Sequence, residues 1–112
     1  QRLMRKVCLH CGREVAVTPQ EQALLGKDIT TIKRGTGCTH CNGTGYRGRI
    51  AVHEILAIDN TVRRMIVNHN SVEEISAYAR EHQHMRTLKE SGLILVKEGV
   101  TTPEELMKIS YE

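Results

Sequence analysis

Two Cys-x-x-Cys pairs, Cys8-x-x-Cys11 and Cys38-x-x-Cys41, lie 26 residues apart in a chain of 112. No other feature constrains the fold as strongly, because the pairs can tie two distant segments to one point. Two thiolates on a tight turn offer the bite of a tetrahedral Zn²⁺ with Zn–S bonds of about 2.3 Å, and two such knuckles complete a closed site. A closed site leaves no position for substrate, so its role is structural rather than catalytic. Two disulfides would require an oxidising compartment, and no export signal opens the chain. A redox pair of thioredoxin type uses one such motif in a βαβ setting that this pattern lacks. The expectation is one zinc held by Cys8, Cys11, Cys38 and Cys41. His10 and His40 each stand inside a C-x-H-C sequence, but four thiolates already fill the site, which leaves both at its edge. His53, His69, His82 and His84 have no ligand spacing with one another and read as ordinary surface or core histidines.

A staple is also what the composition calls for. A chain of this length hides roughly two-thirds of its unfolded surface, near the lower limit for a self-sufficient core. There is no Phe or Trp and only three Tyr, so aliphatic side chains must supply the burial. Small domains with thin cores need a covalent or metal brace.

Along the chain, Thr18-Pro19-Gln20-Glu21 is a helix start with a capping box, and Gly26 ends that helix. ITTIKR (29–34) is β-branched and suits a short strand. RIAVHEILAI (49–58) is nearly continuously apolar and short for a helix, so it reads as a strand buried on both faces. Its sheet neighbours are expected outside the chain. From Asp59 on the pattern is helical. Val62, Met65, Ile66 and His69 share one face, and Ser71-Val72-Glu73-Glu74 forms a capping box. A helix from about Thr87 is stopped by Gly99, and Thr102-Pro103-Glu104-Glu105 repeats the start seen at Thr18. The expected class is α+β and mostly helical: a zinc lobe over 1–48, a strand over 49–58, and a helical subdomain over 59–112.

Gly43-x-Gly45-x-x-Gly48 matches the dinucleotide fingerprint letter for letter, but that motif must follow a strand and open a helix. Here it follows a knuckle and opens a strand, so the glycines serve tight turns instead. No GxxxxGK[ST] sequence occurs, so these residues cannot cradle a nucleotide triphosphate in a P-loop. Arg47 and Arg49, on the same turn, suit charge-assisted bonds to phosphate or carboxylate. Glu54, within the apolar run, needs a fixed partner, most simply one of these arginines.

Residues 1–50 hold nine Lys/Arg against three Asp/Glu, whereas residues 51–112 hold seven against ten. The basic front half suits phosphates, anionic headgroups or an acidic protein. Nucleic acid is not expected, because stacking aromatics are nearly absent. No apolar run approaches the ~20 residues of a transmembrane helix. The opening QRLMRKVC enters mid-pattern, as if cut from a longer polypeptide.

QRLMRKVC-x-x-C, then GC-x-x-CNGTGYRGRI-x-x-x-E-x-L, then MRTL and EGVTT-x-EEL closely resemble the C-terminal end of the type II secretion and type IV pilus assembly ATPases. The resemblance implies a RecA-like domain upstream carrying the Walker motifs, with ATP and Mg²⁺ bound there and not by this chain, which should be inactive alone. It implies zinc on the four cysteines and a homo-hexamer at the cytoplasmic face of the inner membrane, working with inner-membrane platform components of a secretion or pilus machine. It also implies that Arg49, in YRGR, faces nucleotide near a subunit boundary. Two alternatives share parts of the pattern. Cys38-x-x-Cys41-x-Gly43-x-Gly45 is one unit of the zinc region in J-domain co-chaperones, which needs four. A zinc-ribbon nucleic-acid module is the other.

Overall fold

The computed structural model describes residues 1–110. The chain runs β1 (Arg2–Val7), β2 (Gly12–Ala16), α1 (Pro19–Leu25), β3 (Thr31–Gly35), β4 (Tyr46–Val52), α2 (Asn60–Val67), α3 (Val72–His82), α4 (Leu88–Lys97) and α5 (Pro103–Ser110). This is the α+β, mostly helical class expected from the sequence. The residues divide into two bodies: residues 1–53 with the chain from Leu88 onward, and residues 54–87.

In the first body β1 pairs antiparallel with β4, and β2 with β3. The chain order makes this pairing a crossed arrangement. β1 passes through the first cysteine turn into β2, and β3 passes through the second into β4, so each turn joins one strand of each ladder. The register sets Gly12 opposite Gly35 and Val7 opposite Tyr46, so both ladders end at the cysteines. The ladders meet at Gly35 and Gly45, where a Cβ on Gly35 would lie 2.2 Å from the Gly45 carbonyl oxygen. Only glycine fits there.

Away from the cysteines the ladders cover an aliphatic core of Met4, Leu25, Ile29, Ile32, Val52, Val96, Leu106 and Ile109. The strand alternation is visible in β1, where Met4 is buried and Leu3 faces outward. Helix α5 packs on β1, and α4 packs on β3 and β4. Gly92 permits the close approach of α4 and α5, since a Cβ there would lie 2.9 Å from Leu106 Cδ1 and 3.0 Å from Ile109 Cδ1. The capping box at Thr18 forms in full: Glu21 N–H donates to Thr18 Oγ1 at 3.2 Å, and Thr18 N–H donates to Glu21 Oε1 at 2.9 Å. Arg34 on β3 then bridges Glu21 (2.5 Å) and Glu104, tying α1 to α5. Burial opposes ionisation of Glu21, yet the Thr18 N–H and the Arg34 guanidinium hold its carboxyl below the usual range.

The second body is the α2–α3 pair. Asp59 caps α2 through the Val62 N–H (2.8 Å), and its other oxygen accepts from the Tyr78 hydroxyl (2.7 Å) and Gln83 Nε2 (3.1 Å). Gln83 also clasps both backbone groups of Ala57, at 3.1 and 2.8 Å. Val62 and Ala79 are fully buried. The box expected at Ser71 is half made: Ser71 Oγ accepts the Glu74 N–H, while the Glu74 carboxylate takes Asn70 instead.

Four differences from the sequence reading have physical causes. β1 and β2 were not expected, since a basic, cysteine-interrupted segment carries no clean alternation. The strand expected over 49–58 is Tyr46–Val52, and its neighbour β1 lies within this chain. Ile55, Leu56 and Ile58 beyond it are exposed, so the apolar run does not record two buried faces. His69, expected on the face of α2, lies past its end at φ +56°. The boundaries at 48 and 58 also differ from the observed division, because α4 and α5 complete the core beneath the ladders while α2 and α3 form the other body.

Candidate metal centre

The crossed strands bring the two knuckles together tip to tip. All four sulfur atoms of Cys8, Cys11, Cys38 and Cys41 lie within 4.8 Å of one another. Cys8–Cys38 is 3.7 Å, Cys11–Cys41 is 3.8 Å and Cys38–Cys41 is 3.7 Å. A tetrahedron with metal–sulfur bonds of about 2.3 Å has S···S edges of about 3.8 Å. The quartet therefore has the dimensions of a tetrahedral S₄ metal site. All four cysteines are free, and these separations far exceed a disulfide bond of about 2.05 Å.

Backbone N–H groups aim at the sulfurs. Gly37 donates to Cys11 Sγ at 3.3 Å, and Cys38 and Gly45 both donate to Cys41 Sγ at 3.2 Å. Burial opposes ionisation of Cys41, but the Gly45 and Cys38 N–H groups outweigh it and bring the thiol down to about 6. Cys8 is likewise lowered against burial, by the N–H groups of His10 and Cys11. Burial dominates at Cys38 and pushes it up to about 11. Backbone N–H groups thus favour the thiolate form at Cys8 and Cys41 against burial.

The glycines serve this geometry. Gly43, Gly45 and Gly48 have φ of +77°, +83° and +82°; β4 rather than a helix follows the first two, and Gly48 lies within β4 itself. Gly45 contributes twice: its carbonyl accepts the Cys8 N–H at 2.9 Å, and its N–H serves Cys41. No dinucleotide-type turn is formed. His10 and His40 lie outside the sulfur quartet, exposed, with their rings stacked on each other.

Arg47 donates to the His40 carbonyl at 3.2 Å. Arg49 is exposed on β4 directly opposite Arg5, and its side chain makes no hydrogen bond or ion pair among the described residues. Glu54 is exposed, two residues past β4.

One polar cluster escaped the sequence reading. The buried Glu105 carboxylate pairs with Arg5 and lies 3.5 Å from Lys108 Nζ. Arg5 stacks over the Tyr46 ring at 4.0 Å, and the Tyr46 hydroxyl meets Thr102 Oγ1 at 2.7 Å. Thr101 Oγ1 donates to the Arg5 carbonyl at 2.7 Å. This cluster stitches the start of α5 to β1 and β4, next to the knuckles. Its members come from opposite ends of the chain, and no local motif announces them.

Residues 1–108 match the family described as type II/IV secretion system protein. The chain belongs to that family. It is 42% identical to the type IV pilus assembly ATPase PilB of Thermus thermophilus, with all of this chain and 13% of the relative covered. It is 36% identical to type II secretion system protein E of Pseudomonas aeruginosa and 33% identical to that of Aeromonas hydrophila, again over the whole chain. It spans 22% and 23% of those two relatives respectively. The co-chaperone and nucleic-acid-module alternatives give way to this family. No helix among the described residues is long and apolar enough to cross a membrane.

Proposed function

We propose that the chain is the zinc-stabilised C-terminal part of a hexameric secretion or pilus-assembly ATPase, with a structural and interaction role. The observation that carries this reading is the sulfur quartet at tetrahedral spacing within a chain of that family. Zinc suits four thiolates at closed tetrahedral sites, and its role here is to hold the two knuckles and so fix the ends of both ladders. ATP and Mg²⁺ belong to sequence outside these 112 residues, which contain no P-loop motif. A two-stranded ladder is marginal alone, which supports β1 and β4 extending the sheet of the parent ATPase domain. The partners in this reading are the other subunits of the hexamer and inner-membrane platform components, at the cytoplasmic face of the membrane.

In the same reading Arg49 reaches nucleotide phosphate near a subunit boundary. Its exposure on β4, the strand that leaves the second knuckle, supports that role. A guanidinium on a stiff support meets developing charge with little reorganisation.

Metal analysis of the purified chain should return one zinc, all on thiolates. Well under one zinc, or two disulfides under reducing conditions, overturns the metal reading. In the full-length protein Arg49→Ala should lower ATP turnover by ~10³-fold while hexamer and zinc persist, the scale of a lost trans-acting arginine. Turnover at the normal rate removes Arg49 from the site.

A further inference from the structure

Each knuckle carries a histidine at the same place, two residues after its first cysteine and one before its second: His10 and His40. Their rings lie face to face with centroids 3.7 Å apart and planes 14° from parallel. Both residues are exposed, yet they are stacked on one another across two turns separated by 30 positions. The His40 turn is held in turn to β4 by Arg47, which donates to the His40 carbonyl.

This pair does not form a second metal site. An imidazole binds a cation along its own ring plane at about 2.0–2.1 Å. Two near-parallel rings 3.7 Å apart point their lone pairs side by side, so they do not converge on one ion. Nor are the rings needed as ligands for the quartet, which four sulfurs already complete.

We propose that the His10–His40 stack is a clasp that holds the two knuckles closed and sets the rate at which metal leaves the sulfur quartet. This rests on the zinc reading above. A metal held by the quartet would leave only once its thiolates let go, and parting of the two knuckles would carry Cys8 and Cys11 away from Cys38 and Cys41. Each ring rides on the tight turn between two sulfur donors, so the knuckles cannot part without separating the rings. The stack therefore adds its contact free energy to the barrier for opening, and leaves the number of metal ions bound unchanged.

The test follows zinc transfer from the zinc-loaded chain to an excess of a chromogenic chelator. Wild type, His10→Ala, His40→Ala and the double variant should all hold one zinc at equilibrium. The single variants should release it about two- to tenfold faster, the range that an aromatic pair supplies. The double variant should be no faster than either single, because one substitution already abolishes the pair. His40→Phe keeps a ring to stack but has no nitrogen to coordinate, and should restore slow release. Wild-type rates in the alanine variants, additive effects in the double variant, or release from His40→Phe as fast as from His40→Ala would each overturn the clasp. Loss of zinc content in both His40→Phe and His40→Ala would instead make His40 a ligand. A wild-type chain that binds no zinc defeats the zinc reading itself, a result distinct from a zinc-loaded chain whose release ignores the histidines.

Discussion

The knuckle end of the first body and the α2–α3 pair of the second hold together by opposite means. At the knuckles the joined groups lie 30 positions apart, and what converges is four sulfur atoms rather than an apolar cluster. Leu9, at a knuckle tip, is 93% exposed, so hydrophobic burial is not what closes this end. In the α2–α3 pair the contacts are local. One carboxylate, Asp59, gathers a helix cap, a tyrosine and a glutamine from within 24 positions. On the zinc reading proposed above, the first arrangement depends on a cation, the second on the charge state of a single side chain. Each should therefore fail under a stress that spares the other.

Metal removal should give the largest difference. Hydrogen exchange after chelation should lose protection across residues 8–48, while α2 and α3 exchange nearly as before, because structural zinc carries folding free energy in its own lobe. Equal loosening of both regions would break the comparison.

Gly45→Ala should come next. The backbone there has φ +83°, and a Cβ would lie 2.6 Å from the Gly35 carbonyl oxygen. Relief requires a backbone shift, which moves the N–H that serves Cys41. Zinc affinity should fall about 10- to 100-fold, as for lost outer-shell donors, at a further cost of about 1–3 kcal/mol in strain. A competition titration with a chelator of known affinity checks this, and α2–α3 protection should be unchanged.

The smallest effect concerns Asp59. The Val62 N–H, the Tyr78 hydroxyl and Gln83 hold its carboxyl below the usual range against slight desolvation. A carboxylate with a depressed folded pKa contributes stability that is fully present above its unfolded value, near 3.9, and is lost as pH falls through the folded value. Protection of α2 and α3 should therefore decline below about pH 4. Asp59→Ala should raise their exchange at neutral pH by roughly fivefold, as expected for a lost cap, and should flatten the acid dependence. Zinc content should not respond.

The legible features were those written in short range. Thr18 to Glu21, Ser71 to Glu74 and Thr102 to Glu105 carry helix starts within four residues, and all three helices form. The spacing of the cysteines told of convergence, and the four sulfurs meet. The apolar run at 49–58 misled because a continuous run does not reveal which faces find cover; the chain leaves strand pairing after Val52 and exposes Ile55 and Ile58. Glu105 marked only a helix start in the sequence; in the fold it is buried against Arg5, 100 positions away.

By itself the sequence determined the chemistry available at each place: four soft donors in two turns, glycines where φ must be positive, and capped helix starts. Those depend on side-chain identity and on neighbours within one turn of chain. Only the tertiary structure decided which strands pair, and that α4 and α5 rather than α2 and α3 complete the core beneath the ladders. Those outcomes depend on apolar surface shared between segments far apart in the chain, and such burial is non-directional and leaves no local trace of the partner chosen.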